Sequence, residues 1–183
     1  MAVGDRYYSS DGSSGVYTTL AESWNGTSWS VVNSPSPSDN LNQLNSVSCV
    51  SPVACTAMGY VSTLSGGYRT LIESWNGTSW TAVPSPNLGS ASDQNYLDGV
   101  SCTSASACTA VGYHYNGAFR TLIESWNGTS WSVVPSPNRG SISSALNGVS
   151  CTSATACTAA GTYYQSGNTD MARTLIESDT ASG

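Results

Sequence analysis

Apolar and polar residues alternate along this chain in short segments that are bounded by Gly, Asn, Pro or Ser. In the segment Arg120–Trp126, for example, Leu122 falls on one face of an extended strand and Ile123 on the other. An apolar residue on each face indicates a strand that is buried from both sides, as when twisted sheets pack together. No segment combines apolar residues at helical spacing with a helix cap. The pattern therefore predicts an all-β protein.

Four strands are predicted in each structural unit. Three of them are Asn147–Cys151, Cys157–Gly161 and Arg173–Ser178, and a fourth is Ser130–Val134, which Pro-Ser-Pro ends. The Asn-Gly pair before the fourth strand predicts a tight type I′ hairpin turn, in which both residues adopt a positive φ. The tryptophans that flank this turn fall on the same face whether its loop has two or four residues.

This unit recurs at a period of about fifty residues. The segment Thr19–Trp29 returns almost unchanged at Thr70–Trp80 and Thr121–Trp131, and its first part returns at Thr174–Ser178. Self-similarity at such a period predicts an array of modules that bury their faces against their neighbours. Function is then expected in the positions that differ between copies.

Repeated units of four antiparallel strands predict a β-propeller with about 3.5 to 4 blades in this chain. A β-solenoid is the alternative, but solenoid coils are usually shorter and lack Asn-Gly hairpins. Because the sequence starts and stops inside a unit, we expect either a minimal four-bladed ring with incomplete edges or about half of a larger ring that a second copy completes. A mature or truncated piece of a longer array is the alternative. The single domain 1–183 divides into a partial first blade with its linker, two full blades and a partial last blade: 1–46, 47–99, 100–148 and 149–183.

Two motifs connect these units to a known family. A small-x-Gly step ends the second strand, as in Ala110–Gly112, and an aromatic residue, a tight turn and a Trp-led strand follow the third, as in Glu73–Trp80. The chain resembles kelch-like propeller repeats of secreted bacterial proteins of actinobacterial type. It departs from the kelch pattern in having one glycine in place of Gly-Gly, a shorter turn and a cysteine pair in each repeat. The resemblance implies a propeller fold.

The six cysteines form three pairs of equal spacing, one pair in each unit. This regularity predicts one local disulfide bond per unit and therefore an oxidising compartment, so we expect a secreted or cell-surface protein. A zinc site and free thiols are the alternatives, but for a zinc site the chain has only one histidine to add to the cysteines. The predicted bonds are Cys49–Cys55, Cys102–Cys108 and Cys151–Cys157.

The charge balance narrows the range of partners. The chain has five basic residues, all of them arginine, and eleven acidic residues, which give a net charge of −6. Neutralising nucleic-acid phosphates or anionic lipid requires clustered Lys and Arg, and no apolar run approaches the length of a membrane span. We expect no nucleic-acid partner and no membrane insertion.

One glutamate and a pair of tryptophans recur at fixed positions in the units. Paired carboxylates occur in glycoside hydrolases, but strict repetition favours a structural role, and we expect Arg69, Arg120 and Arg173 to bond these acids. No catalytic residue, metal ligand or cofactor is predicted, so the chain is not expected to be an enzyme; a glycan-active enzyme is the least favoured function. The predicted structural residues are Glu22, Glu73, Glu124, Glu177, Trp24, Trp29, Trp75, Trp80, Trp126 and Trp131.

The loops between the second and third strands vary in sequence and are rich in tyrosine, with Ser, Gly and Asn. This composition is typical of adaptable binding loops. We expect a binding module whose tyrosines crowd around a shared opening and contact a glycan or an extracellular protein, with self-association into a homodimer. Neutral loop variation and a structural, self-assembling scaffold are the alternatives. The candidate residues are Tyr7, Tyr8, Tyr60, Tyr113, His114, Tyr115, Tyr163 and Tyr164.

Overall fold

The computed structural model describes residues 1–9, 15–139, 142–165 and 172–180, and these ranges are all-β. None of the described residues belongs to a helix that could cross a membrane. Residues 166–171 and 181–183, which belong to the predicted last blade, lie outside the described residues. The strands are β1 (Ala2–Tyr8), β2 (Val16–Trp24), β3 (Trp29–Val32), β4 (Asn42–Ser51), β5 (Ala54–Ser62), β6 (Tyr68–Trp75), β7 (Trp80–Val83), β8 (Gln94–Ser104), β9 (Ala107–Tyr115), β10 (Phe119–Trp126), β11 (Trp131–Val134), β12 (Ser143–Ser153), β13 (Ala156–Tyr164) and β14 (Arg173–Thr180).

The strands form four consecutive units. Unit 2 contains β4 to β7 and unit 3 contains β8 to β11 as first to fourth strands. Unit 1 contains β1 to β3, which correspond to the second to fourth strands, and unit 4 contains β12 to β14, which correspond to the first to third. Within a unit, strands that follow one another in the chain pair antiparallel. Units 2 to 4 join into one eleven-stranded sheet that curls into a half-barrel, and β1 to β3 form a separate sheet. The all-β prediction is confirmed, whereas a closed ring of four-stranded blades is not seen in the described part of the chain.

In units 2 and 3, a single parallel bridge connects the third strand to the start of the next unit. The two bridges join Tyr68 to Gln94 and Phe119 to Ser143. The first strands also lie side by side: the backbone N–H of Cys102 donates to Ser48 Oγ and that of Cys151 donates to Ser101 Oγ, both at 3.0 Å. The same connection is thus used from unit to unit.

The first hairpin of each unit is longer than the sequence predicts. In unit 4, β12 begins at Ser143 instead of Asn147, and only two residues separate its end at Ser153 from β13. The small residues that predict a loop instead continue the antiparallel ladder, because Ser, Thr and Ala fit an extended backbone when neighbouring strands supply hydrogen bonds.

The three predicted disulfide bonds are confirmed. Each bond joins residues that lie directly opposite one another in the first hairpin of its unit. All six cysteines are therefore oxidised, and none is free, which is consistent with an oxidising, extracellular compartment. The bonds are Cys49–Cys55, Cys102–Cys108 and Cys151–Cys157.

The turn between the third and fourth strands differs from the predicted type I′ turn. In unit 1, Gly26 has a φ of 97°, but no non-glycine residue in the described ranges has a positive φ. The side-chain oxygen of Asn25 instead accepts the backbone N–H groups of Thr27 and Ser28, each at 2.9 Å. This Asx turn produces a four-residue loop. The tryptophans on either side are paired across it, as predicted.

Adjacent units pack through two different faces. We call the face that carries the Leu, Glu and Trp residues of the third strand the leucine face, and the opposite side the isoleucine face. Between units 2 and 3, Ile72 and Met58 of the isoleucine face pack in one cluster with Leu122 and Trp131 of the next leucine face. Equivalent clusters join units 1 and 2 and units 3 and 4. The core is therefore a series of similar junctions.

Candidate binding surface

Each first strand contains a β-bulge at the same position. In unit 3, Asp98 is the extra residue between Leu97 and Gly99, and Asn45 and Asn147 are its counterparts in units 2 and 4. A bulge leaves one residue unpaired and turns its side chain out of the ladder. The three bulges therefore place one polar side chain on each of three adjacent strands.

The bulges of units 2 and 3 are bonded to each other. The side-chain amide of Asn45 donates to Asp98 Oδ1 at 3.0 Å and to the Leu97 carbonyl at 2.9 Å. Burial raises the pKa of Asp98, and the hydrogen bond from Asn45 partly opposes this change. Asp98 is thus a half-buried acceptor held at a fixed position.

Aromatic rings from units 2 and 3 pack together close to this carboxylate. Tyr60 and Tyr113 both contact Tyr96, with ring centroids 4.7 and 4.8 Å apart. Further ring contacts between 4.8 and 5.5 Å extend the group at both ends. Its members are half-buried, apart from one exposed ring, Phe119. We call this group the tyrosine array; it consists of Tyr60, Tyr68, Tyr96, Tyr113, Tyr115 and Phe119.

The electrostatic surroundings favour the protonated form of three phenols of the array. Burial is the main cause that raises the pKa of Tyr60, Tyr96 and Tyr113, and the charge of Asp98 raises each pKa further. The hydroxyl of Tyr60 donates to Gln43 Oε1 at 2.7 Å. The array therefore presents aromatic faces together with hydroxyl, amide and carboxylate groups.

The structure brings together only some of the predicted tyrosines. Tyr60, Tyr113 and Tyr115 belong to the array, whereas Tyr7 packs on Tyr17, with centroids 5.0 Å apart. Ring contacts therefore do not join all of the predicted tyrosines into one group. Outside the array, Tyr8 is exposed, Tyr163 packs against the core between units 3 and 4, and Tyr164 is half-buried at the end of β13.

His114 also lies apart from the array. It alternates with Tyr113 and Tyr115 along β9 and therefore points to the opposite face. Its Nδ1 atom is buried without a hydrogen-bond partner, and burial followed by the charge of Arg120 lowers its pKa. His114 is therefore not a member of the proposed binding surface.

Three members of the array escaped the sequence analysis. Tyr68 and Phe119 each precede the arginine that opens the repeated third-strand motif, and Tyr17 is their counterpart in unit 1. Aligning the repeats one residue further back would have found them. Tyr96 gives no such signal, because its counterparts are Gln43 and Ala145.

The carboxylates of Glu73, Glu124 and Glu177 do not bond an arginine in the structure, so the predicted arginine bonds of these three acids are wrong. The hydroxyl of Ser34 donates to Glu73 Oε2 at 2.6 Å and that of Ser136 donates to Glu177 Oε2 at 2.7 Å. The other oxygen of each carboxylate, and both oxygens of Glu124, are buried without a partner. The reason is that the linker after the fourth strand of one unit lies against the leucine face of the next unit. A serine of that linker is therefore close enough to donate to the glutamate. Burial raises the pKa of Glu73 to about 7 and that of Glu124 to about 8.

A groove of about 500 Å³ lies elsewhere, between units 3 and 4. Ile123, Val134 and Ala159 are among its lining residues. At the preceding junction, the equivalent positions pack around Trp131, but unit 4 has Asp179 where the other units have the first tryptophan of the pair. The groove therefore corresponds to the space that the paired tryptophans of unit 3 fill at the junction between units 2 and 3.

The sequence has no match among protein-family models or curated protein sequences. Within the described ranges, no group of three or more His, Cys, Asp or Glu side chains is placed to hold a metal ion. The tyrosine array and its neighbouring carboxylate are the features on which a function is proposed.

Proposed function

We propose that this chain is a non-catalytic glycan-binding module of the β-propeller type and that the tyrosine array is its contact surface. One observation carries the proposal: Tyr60 and Tyr113, from different units, both pack on Tyr96 beside the bulge residue Asp98. Binding sites typically combine aromatic surface with a few fixed polar groups.

The chemistry of the array suits a sugar. The C–H face of a pyranose ring packs on an aromatic ring, while its hydroxyls require acceptors and donors nearby. Asp98 supplies a carboxylate, and Gln43 and Gln94 supply amides that already contact Tyr60 and Tyr96. Tyrosine offers rigid amphipathic surface at a low cost in conformational entropy.

The propeller is the finer part of this proposal. It is supported by antiparallel units that follow one another in the chain, by first strands that lie side by side, and by the curl of the large sheet. The three disulfide bonds support secretion or display at the cell surface.

A self-assembling scaffold is the second candidate function. It is favoured by Trp24 and Trp29 of unit 1, which are 47% and 51% exposed, whereas Trp75 and Trp80 at the equivalent positions of unit 2 are buried. Such exposed aromatic residues are typical of an interaction surface.

A glycan array screened with the labelled chain tests the proposed function. We expect wild type to bind a defined set of glycans, Tyr96→Ala to lose them, and Tyr8→Ala to retain them, because Tyr8 is exposed outside the array. Circular dichroism shows that each variant is folded. The proposal is overturned if wild type binds no glycan, or if folded Tyr96→Ala binds the same glycans equally well.

A further inference from the structure

The leucine face is covered in three units and uncovered in one. Leu71, Leu122 and Leu175 are at most 4% exposed, because the isoleucine face of the preceding unit packs on each of them. Leu20 occupies the same position in unit 1 and is only half-buried. The described residues provide no unit to cover it.

The tryptophans of unit 1 show the same difference. Trp24 and Trp29 pack on each other, with centroids 5.5 Å apart, but about half of each side chain faces solvent. In unit 2, Trp75 and Trp80 have the same mutual geometry and are 9% and 5% exposed. They are buried in a cluster that includes Ala21 from the isoleucine face of unit 1.

The opposite end of the chain has an uncovered isoleucine face. Ile176 of unit 4 is 65% exposed, whereas Ala21 and Ile72 at the equivalent positions of units 1 and 2 are 0% and 1% exposed. Ala160, which is paired with Ile176 across the strands, is exposed as well, and its counterpart Met58 is fully buried. Unit 4 therefore has an exposed apolar strip, whereas the equivalent residues of units 1 and 2 are covered by the unit that follows them.

The two uncovered faces are the two halves of the junction that recurs inside the chain. We propose that a second copy of this chain packs the isoleucine face of its unit 4 on the leucine face of unit 1, and that the same contact forms in the reverse direction. Ile176 then covers Leu20 and Trp24 as Ile72 and its neighbours cover Leu122 and Trp131.

Each of the two contacts is heterologous, because different surfaces of the two copies meet in it. A heterologous contact either closes a ring or continues into an open filament. The sheet of units 2 to 4 curls into a half-barrel, so repeating the contact through a second copy leads back to the first. Two copies related by a twofold axis then form a closed ring of eight units with no uncovered face.

Molar mass in solution is the primary test. Size-exclusion chromatography with light scattering is expected to give a dimer for wild type and a monomer for Ile176→Arg, because a charge is placed in the apolar contact. Leu64→Arg makes the matched change at a fully exposed residue in the loop between β5 and β6, so it is expected to remain dimeric. The melting temperatures of the two variants are compared at high dilution, where both are monomers. Equal melting temperatures show that Ile176→Arg has not unfolded the chain.

Mixing two variants tests the head-to-tail direction. Trp24→Asp introduces at unit 1 the residue type that unit 4 has at the equivalent position, Asp179, and is expected to be monomeric. The Ile176→Arg chain keeps an intact leucine face, and the Trp24→Asp chain keeps an intact isoleucine face. A mixture of the two variants is therefore expected to form a heterodimer through this one intact contact.

Several results overturn the proposal. They are a monomeric wild type, a dimer that both end variants leave intact, a mixture that stays monomeric, and an oligomer whose mass keeps rising with concentration. The tyrosine array lies on units 2 and 3, away from the end faces, so loss of glycan binding and loss of dimerisation are separate outcomes.

Discussion

The hydroxyl of Ser34 donates a 2.6 Å hydrogen bond to Oε2 of Glu73 across the junction between units 1 and 2. At the next junction the equivalent serine, Ser85, bonds Thr70 of its own unit instead. Both carboxylate oxygens of Glu124 are then left buried and unpaired. Junctions of nearly identical sequence thus differ in whether the buried carboxylate accepts a hydrogen bond. The unpaired carboxylate of Glu124 predicts how the stability of the chain depends on pH.

The free energy of unfolding is expected to fall as the pH rises from about 4.5 to about 8. Burial raises the pKa of folded Glu124 from 4.5 to about 8, so over this window the folded chain binds more protons than the unfolded chain. Stability then decreases with rising pH. A shift of one pKa unit corresponds to about 1.4 kcal/mol, so the total effect is expected to reach several kcal/mol. Urea denaturation at a series of pH values measures it.

Glu124→Gln isolates the contribution of this carboxyl group. The amide has nearly the same shape and does not ionise, so we expect the variant to be more stable than wild type at pH 8 and to depend less on pH. Glu22→Gln is the matched control when both changes are made in the monomeric Ile176→Arg chain, because the leucine face of unit 1 stays uncovered there. It is expected to change little. A Glu124→Gln chain with the full pH dependence of wild type would show that the buried acid is not its source.

Gly112→Ala is expected to destabilise the chain by about 2 kcal/mol through overpacking. A Cβ atom at Gly112 would lie 2.0 Å from the carbonyl oxygen of Tyr96, opposite the bulge that holds Asp98. Gly4 occupies the same repeat position in unit 1, where an added Cβ atom would meet no other atom within 4 Å, so Gly4→Ala is the matched control. Thermal denaturation compares the two variants, and equal melting temperatures would contradict the close approach at the bulge.

Removing one disulfide bond is expected to lower the free energy of unfolding by about 2 kcal/mol, because each bond closes only a small loop. The Cys102→Ser/Cys108→Ser double variant tests this with the other two bonds intact. Urea denaturation should show a lower midpoint for the variant, and a reducing agent should abolish the difference between variant and wild type. A variant as stable as oxidised wild type would mean that the bond does not stabilise the folded unit.

The sequence predicts those parts of the fold that depend on local spacing. The cysteine pairs predicted their bonds correctly, and alternation along Arg120–Trp126 correctly predicted which side chains share a face. The turn at Asn25 was predicted with the wrong geometry, because an Asx turn and a type I′ turn use the same residue types.

The binding surface and the junctions depend on contacts between units, and local spacing does not reveal these. Tyr96 joins the array only because its strand lies between the tyrosines of β5 and β9. Glu73 bonds Ser34 because a linker from unit 1 crosses its face. Both relationships join residues that are far apart in the sequence, so they become visible only when the order of the units is known.

The role of the tyrosine array in binding is tested most directly by calorimetric titration of Tyr113→Ala with a glycan that wild type binds. Tyr113 contacts both Tyr96 and Phe119, so its removal opens the centre of the array. We predict that the dissociation constant rises about tenfold or more, equivalent to about 1.4 kcal/mol, while Tyr8→Ala binds like wild type. An unchanged dissociation constant for folded Tyr113→Ala would contradict the account.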